Sequence, residues 1–143
     1  MVVNEFNTQL SDWLMAQSTL GESMAYRNVT TDELRLLREL LCLAGISGPD
    51  EWLAGLQVEG MDDGGMGSLL LFDKKLGEQR HDFGRRLAAV QFIDVDGIEV
   101  VATLNANTNG EPFELDIWKK DFSPLVEISL TFVPLRESKV GEE

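Results

Sequence analysis

The chain has 143 residues, 43% of them hydrophobic, and its 25 acidic side chains against 12 Lys and Arg leave a formal net charge of −13. That length suits one domain, which at this size buries about two-thirds of the surface its unfolded chain exposes. No apolar run approaches the ~20 residues of a membrane span, and the surplus of carboxylates repels nucleic acid and anionic lipid while hastening encounter with a basic protein.

Residues 4 to 18 place Phe6, Leu10, Trp13 and Leu14 at helical spacing, so an amphipathic helical extension is expected within residues 1–25. The opening MVVNEFNTQLSDWL has no basic stretch leading into a long apolar core, which predicts no secretory signal and a cytoplasmic protein. The lone Cys42 fits the same compartment, since it has no intramolecular disulfide partner.

Thr30, Thr31, Asp32 and Glu33 form a capping box: the Thr30 hydroxyl can accept from the Glu33 amide while the Glu33 carboxylate accepts from the Thr30 amide. The sequon Asn28-Val29-Thr30 therefore reads as a helix start. Leu34, Leu36, Leu37, Leu40, Leu41 and Leu43 give the helix that follows a broad apolar stripe, and Cys42, inside that run, is expected to be a core thiol. Ala44-Gly45 ends the helix. A turn at Ser47–Asp50 feeds a short helix, Glu51 to Leu56. A strand at Leu56–Met61, a glycine-rich loop at Asp62–Gly67 and a second strand at Ser68–Asp73 follow. The loop lacks the Lys-Ser/Thr of a phosphate loop, and its two acids would repel phosphate.

Lys74 to Gly84 reads as a polar connection. From Arg85 to Leu125, three apolar runs are separated by Asp94-Val95-Asp96-Gly97 and Asn107-Thr108-Asn109-Gly110, which predicts an antiparallel meander joined by tight two-residue turns. In its second and third strands, Ile98, Val100, Ala102 and Leu104, then Phe113, Leu115 and Ile117, alternate with polar and acidic neighbours. A last strand is expected where Val126, Ile128, Leu130 and Phe132 alternate with Glu127, Ser129, Thr131 and Val133, and residues 136–143 should fray. Helices first and strands later give an α+β fold, an antiparallel sheet with helices packed on one face, in one domain over 1–143.

Asn105, Asn107, Asn109, Gly110 and Asp116 superficially match a calcium loop, but their flanks read as strands where that motif needs helices. The same holds for Asp94 and Asp96, which are ordinary turn formers. His81 is the only histidine. Beside Asp82 it could serve general acid–base chemistry on a cationic substrate, yet no nucleophile accompanies it. Trp118-Lys119-Lys120 forms a small basic-aromatic spot that reads as packing and local charge balance. No catalytic, cofactor or metal-binding residue is assigned.

The acids are unevenly spread. Seven lie between Glu39 and Asp73 and six between Leu87 and Trp118, with no Lys or Arg in either stretch. The loop acids Glu59, Asp62 and Asp63 and the strand acids Glu99, Glu114 and Asp116 are the candidate partner-binding residues. An acidic regulator that mimics nucleic acid would also exploit this charge, through regular rows of carboxylates.

Arg27-x-Val29-Thr30, Glu33-Leu34-x-Leu36-Leu37-x-x-Leu40-Leu41, Ser68-Leu69-x-x-Phe72, Asp94-x-Asp96-Gly97 and Glu114-Leu115-Asp116-Ile117-Trp118-Lys119-x-Asp121-Phe122-Ser123-Pro124-Leu125 together span residues 26 to 126. In these segments the chain resembles a family of small bacterial domains. Its members are similar in size, acidity and want of a catalytic centre to the immunity proteins of contact-dependent growth inhibition and related polymorphic toxin systems. The resemblance implies a binding protein and no enzyme. Its expected partner is a basic toxin domain, a nuclease above all, held by acidic residues, with no direct contact to nucleic acid or membrane.

Overall fold

The computed structural model describes residues 26–73 and 79–135, so the expected helix at residues 4–18 and the tail at 136–143 lie outside the described residues. Seven antiparallel strands, β1 (Arg27–Asn28), β2 (Leu56–Gly60), β3 (Leu69–Asp73), β4 (Phe83–Ile93), β5 (Glu99–Asn107), β6 (Pro112–Lys119) and β7 (Val133–Pro134), form one sheet in the order β1-β2-β3-β6-β5-β4-β7. Two helices, α1 (Thr31–Leu43) and α2 (Pro49–Ala54), precede most of it. The fold is α+β, as the order of elements predicts.

Helix α1 begins where the capping box places it. Thr30 Oγ1 accepts from the Glu33 amide at 3.1 Å, and Glu33 Oε1 accepts from the Thr30 amide at 2.9 Å. Arg27 adds a two-pronged pair to the same carboxylate, at 2.9 and 2.8 Å. Burial works against the Glu33 charge, but the bonds from Arg27 and Thr30 hold its carboxyl below the usual range. Leu36, Leu37, Leu40 and Leu41 are fully buried and pack on the sheet.

Cys42, expected in the core, is exposed. At 100° per residue it lies about 170° around the helix from the middle of the buried leucine stripe, so the phase of the helix turns it outward. Leu43, off the edge of the stripe, is 42% exposed.

Alternation along the strands sets the two faces of the sheet. Val58, Leu69, Leu71, Val90, Phe92, Val100, Ala102, Leu104, Leu115 and Ile117 join the helix leucines in one core, and cross-strand partners such as Leu104 with Leu115 and Ala102 with Ile117 fix the register.

Both hairpin connections are one residue longer than the predicted two-residue turns. Gly97 donates to the Asp94 carbonyl and Asp94 to that of Ile98; Gly110 and Asn107 do the same with Asn107 and Glu111. Each is a three-residue loop closing on a glycine at φ 85°. Asp96 and Asn109 keep negative φ, so the mirror-image two-residue turn does not form. Near the start of β4, bulges shift the register. Gly84 is required there, because a β-carbon would sit 2.3 Å from the Asn107 carbonyl oxygen.

The predicted last strand is largely not a strand: between Phe122 and Phe132 the chain makes no sheet, and only Val133–Pro134 pairs, with β4. Its backbone is held by side chains instead. Asp94 accepts from the Val126 and Glu127 amides, and Arg35 donates to the Ile128 and Ser129 carbonyls at 3.2 and 2.8 Å. With those groups already bonded, alternating apolar residues alone do not bring a ladder. Ile128 is buried, Phe132 packs edge-on to Phe92 at 5.8 Å, and Leu130 is 78% exposed.

Candidate functional site

Lys119 closes β6. It shares the parity of Phe113, Leu115 and Ile117 and so points into the core, where its side chain is wholly buried. All three ammonium protons are used: on Asp94 Oδ2 at 2.8 Å, Asp96 Oδ2 at 2.5 Å and the Pro124 carbonyl at 2.9 Å. Asp94 in turn accepts from the amides of Val95, Val126 and Glu127 at 2.7, 2.8 and 3.0 Å. Burial opposes both charges. For Asp94 the bonds from Lys119 and the three amides prevail and hold its carboxyl below the usual range. For Lys119 the two carboxylates prevail and hold its pKa above the ordinary value.

This cluster latches the segment from Pro124 to Glu127 onto the β4–β5 turn. Lys119 and Asp94 read from sequence as packing with local charge balance and as a turn former; the period-2 alternation through Ile117 is the signal that places Lys119 inside.

The opposite face of the sheet carries no helix among the described residues. Cross-strand pairing runs Glu59–Leu70–Glu114–Asn105–Arg86 in one row, Asp116–Thr103–Ala89 in the next, then Trp118–Val101–Gln91–Val133, then Glu99–Ile93. Four of the six candidate acids, Glu59, Glu99, Glu114 and Asp116, therefore share this face. Glu114 accepts from Asn105 Nδ2 at 2.9 Å. Lys120 approaches Glu99 at 4.0 Å, whereas among the described residues no ion pair reaches Glu59, Glu114 or Asp116.

The other two acids lie in the β2–β3 loop. Asp62 is exposed. Asp63 turns inward and accepts from the amides of Met66 and Ser68 at 3.1 and 3.0 Å. Burial works against its charge, but the bonds from Ser68, Met66 and Gly67 hold its carboxyl low. Its geometry is that of a loop brace, which leaves Asp62 as the acid this loop presents. The loop meets the chain after β6, where Leu125 donates to the Gly65 carbonyl at 3.0 Å.

Arg86 stands in the Glu59–Glu114 row and Lys120 beside Glu99, but most described basic side chains are engaged elsewhere. Arg27 pairs with Glu33, Arg35 with Asp32, Arg38 with Asp50 and Arg80 with Asp82, at 2.8 to 3.0 Å, and Lys119 is buried.

Apolar groups accompany the acids. Trp118 is 41% exposed and meets Phe122 edge-on, with ring centroids 5.9 Å apart. Phe122 is 66% exposed and is the one described residue other than glycine with positive φ, at 64°. That conformation costs a residue with a β-carbon roughly 1–2 kcal/mol, and an exposed ring recovers little of it.

His81 and Asp82 do not bond each other. Asp82 accepts from Nε and Nη2 of Arg80 and from the Thr108 hydroxyl, which lower its pKa to about 2, while the His81 ring lies against Phe72 and Phe113 at 5.2 and 6.4 Å. An open groove of about 400 Å³ is lined by Leu43, Arg86, Leu87, Ala88, Ala89, Pro134 and Leu135, and contains neither residue. Among the described residues no three His, Cys, Asp or Glu side chains converge as a metal site would require, and no helix is long and apolar enough to cross a membrane.

These observations define the chain as an antiparallel-sheet protein with one face covered by helices and the other, acid-bearing, left uncovered among the described residues. The family described as a domain of unknown function (DUF6984) matches residues 26–129, and the chain belongs to it. Neither the curated proteins nor the solved structures contain a match.

Proposed function

We propose that this protein acts by binding: its open sheet face docks on a basic protein, and the partner is a toxin domain, a nuclease above all, which it neutralises one to one. The observation that carries this reading is the placement of Glu59, Glu99, Glu114 and Asp116 on one face that no described helix covers, with most of the described cations engaged elsewhere. An enzyme that cuts nucleic acid presents a basic cleft. An acidic face can occupy that cleft, speed the encounter and exclude the substrate, while its matched side chains supply specificity. The resemblance to immunity proteins supports the choice of a toxin as partner.

Co-expression with each neighbouring gene product tests this. One of those products should arrest growth alone and be tolerated when this chain is present. Glu114→Gln combined with Asp116→Asn should slow association and flatten its dependence on salt. If no neighbouring product is toxic or binds the chain, the reading falls.

A further inference from the structure

We propose that Trp118 and Phe122 are the anchor of the docking face, and that the occupant is a basic protein segment whose arginine side chain lies over the Trp118 ring. This rests on the docking reading above and adds to it the chemistry of the contact.

Folding does not explain the placement of these two rings. Strand parity turns Trp118 away from the core as surely as it turns Lys119 into it. No helix covers the ring among the described residues, and the aromatic ring that meets it, Phe122, is itself largely exposed. Phe122 stands at a backbone position that suits glycine or asparagine, closing a turn in which its amide donates to the Lys119 carbonyl at 2.8 Å. An aromatic ring there is unfavourable for the backbone and is not used in the core. Ile93, 50% exposed, and Val133, 64% exposed, extend the apolar surface along the same end of the sheet.

The surroundings select the occupant. Asp116 precedes Trp118 by two residues on the same face, and Glu99 begins the neighbouring strand, with the Lys120 ammonium 4.0 Å from its carboxylate. An apolar aromatic centre with an acidic rim has the anatomy of a protein interface aimed at a cation-bearing partner. Arginine fits it better than lysine, because its planar, weakly hydrated guanidinium stacks on an indole while its outer nitrogens reach carboxylates.

The test titrates the full-length, isotope-labelled protein at low salt with octa-arginine and, separately, octa-lysine, following amide and indole N–H resonances. The Trp118 indole and Phe122 amide should move. The arginine peptide should bind roughly fivefold more tightly than the lysine peptide, and Trp118→Leu should erase that difference. Phe122→Asn should weaken arginine binding about tenfold yet leave the thermal midpoint unchanged or raised, which a merely structural phenylalanine would not allow.

Equal binding of both peptides, unaffected by Trp118→Leu but weakened by Glu114→Gln with Asp116→Asn, overturns the anchor and leaves the acidic docking face standing. No binding of either peptide, or binding indifferent to those two acids, overturns the docking reading itself. A wild-type dimer in sedimentation that Trp118→Leu dissociates makes the occupant a second copy of this chain and overturns the proposal.

Discussion

Replacing Asp94 with alanine is the most informative single change, because four donors converge on its carboxylate. Removing it leaves the Lys119 ammonium buried with one carboxylate, Asp96 at 2.5 Å, and the Pro124 carbonyl. Breaking a buried ion pair by deleting one partner costs about 3–5 kcal/mol. The surviving Asp96 contact puts this case near the lower end, about 3 kcal/mol. The amides of Val126 and Glu127 belong to exposed residues and can turn to water, so they add little. At about 2–4 °C per kcal/mol for a chain near this length, the thermal midpoint should fall by roughly 6–12 °C. Urea unfolding of the wild type and of Asp94→Ala measures the difference. Amide exchange should show Val126 and Glu127 losing protection well before the α1 leucines. Asp116→Ala, on the open face, should stay within about 0.5 kcal/mol. If Asp94→Ala costs less than about 1 kcal/mol with Val126 still protected, the latch does not hold the segment.

Three further outcomes follow from particular contacts. The latch should confer a stability plateau in pH: the lowered Asp94 carboxyl contributes fully above its ordinary value of 3.8 and loses that contribution as pH falls below it, while the raised Lys119 contributes fully below 10.5 and loses it above. Urea midpoints for wild type minus Asp94→Ala should be flat from about pH 5 to 9, and a decline already under way at pH 6 would assign the effect to another group. Gly84→Ala should cost about 1–3 kcal/mol, because its methyl would sit on the Asn107 carbonyl oxygen and force the bulged strand to move; an unchanged midpoint would show that β4 yields there freely. Cys42 should react with a bulky disulfide reagent in the native state as fast as in urea, since the thiol side of α1 faces outward, and protection in the native state would return it to the core.

The sequence was most legible where a local rule and the tertiary fold demand the same thing. The Thr30–Glu33 box satisfies orphan amides whatever α1 packs against, and the glycines at 97 and 110 mark chain reversals whatever the sheet order. Strand parity also placed the acids of β5 and β6 on one face. Legibility failed where a side chain took over work normally done by backbone. Val126 to Phe132 alternates like a strand, but Asp94 and Arg35 claim its amides and carbonyls from elements about 32 and 93 residues away, and no local pattern shows that. Charge misled at Lys119: its polar head suggests the surface, whereas the period-2 alternation through Ile117 turns it inward, and only its two aspartates, distant in sequence, explain how the charge is tolerated there. For Cys42 periodicity likewise suffices, since counting 100° per residue from Leu36 would have turned it outward.

The buried cluster and the open face are two consequences of one register. In β6 the residues facing the helices and those facing outward differ only by parity, so a slip of one position would bring Trp118 inside and expel Lys119 from its two carboxylates. An apolar strand end could tolerate such a slip by repacking. A lysine whose three protons have fixed acceptors cannot, because the displaced ammonium would leave Asp94 and Asp96 facing each other without their cation. The latch thus works against the shifted pairing as well as for the native one. Lys119 also holds the turn to Phe122, its backbone carbonyl accepting from the Phe122 amide and its ammonium donating to the Pro124 carbonyl. The strand that displays Glu114, Asp116 and Trp118 is thereby fixed in register, and a partner that binds there would not bear the entropy of ordering its backbone.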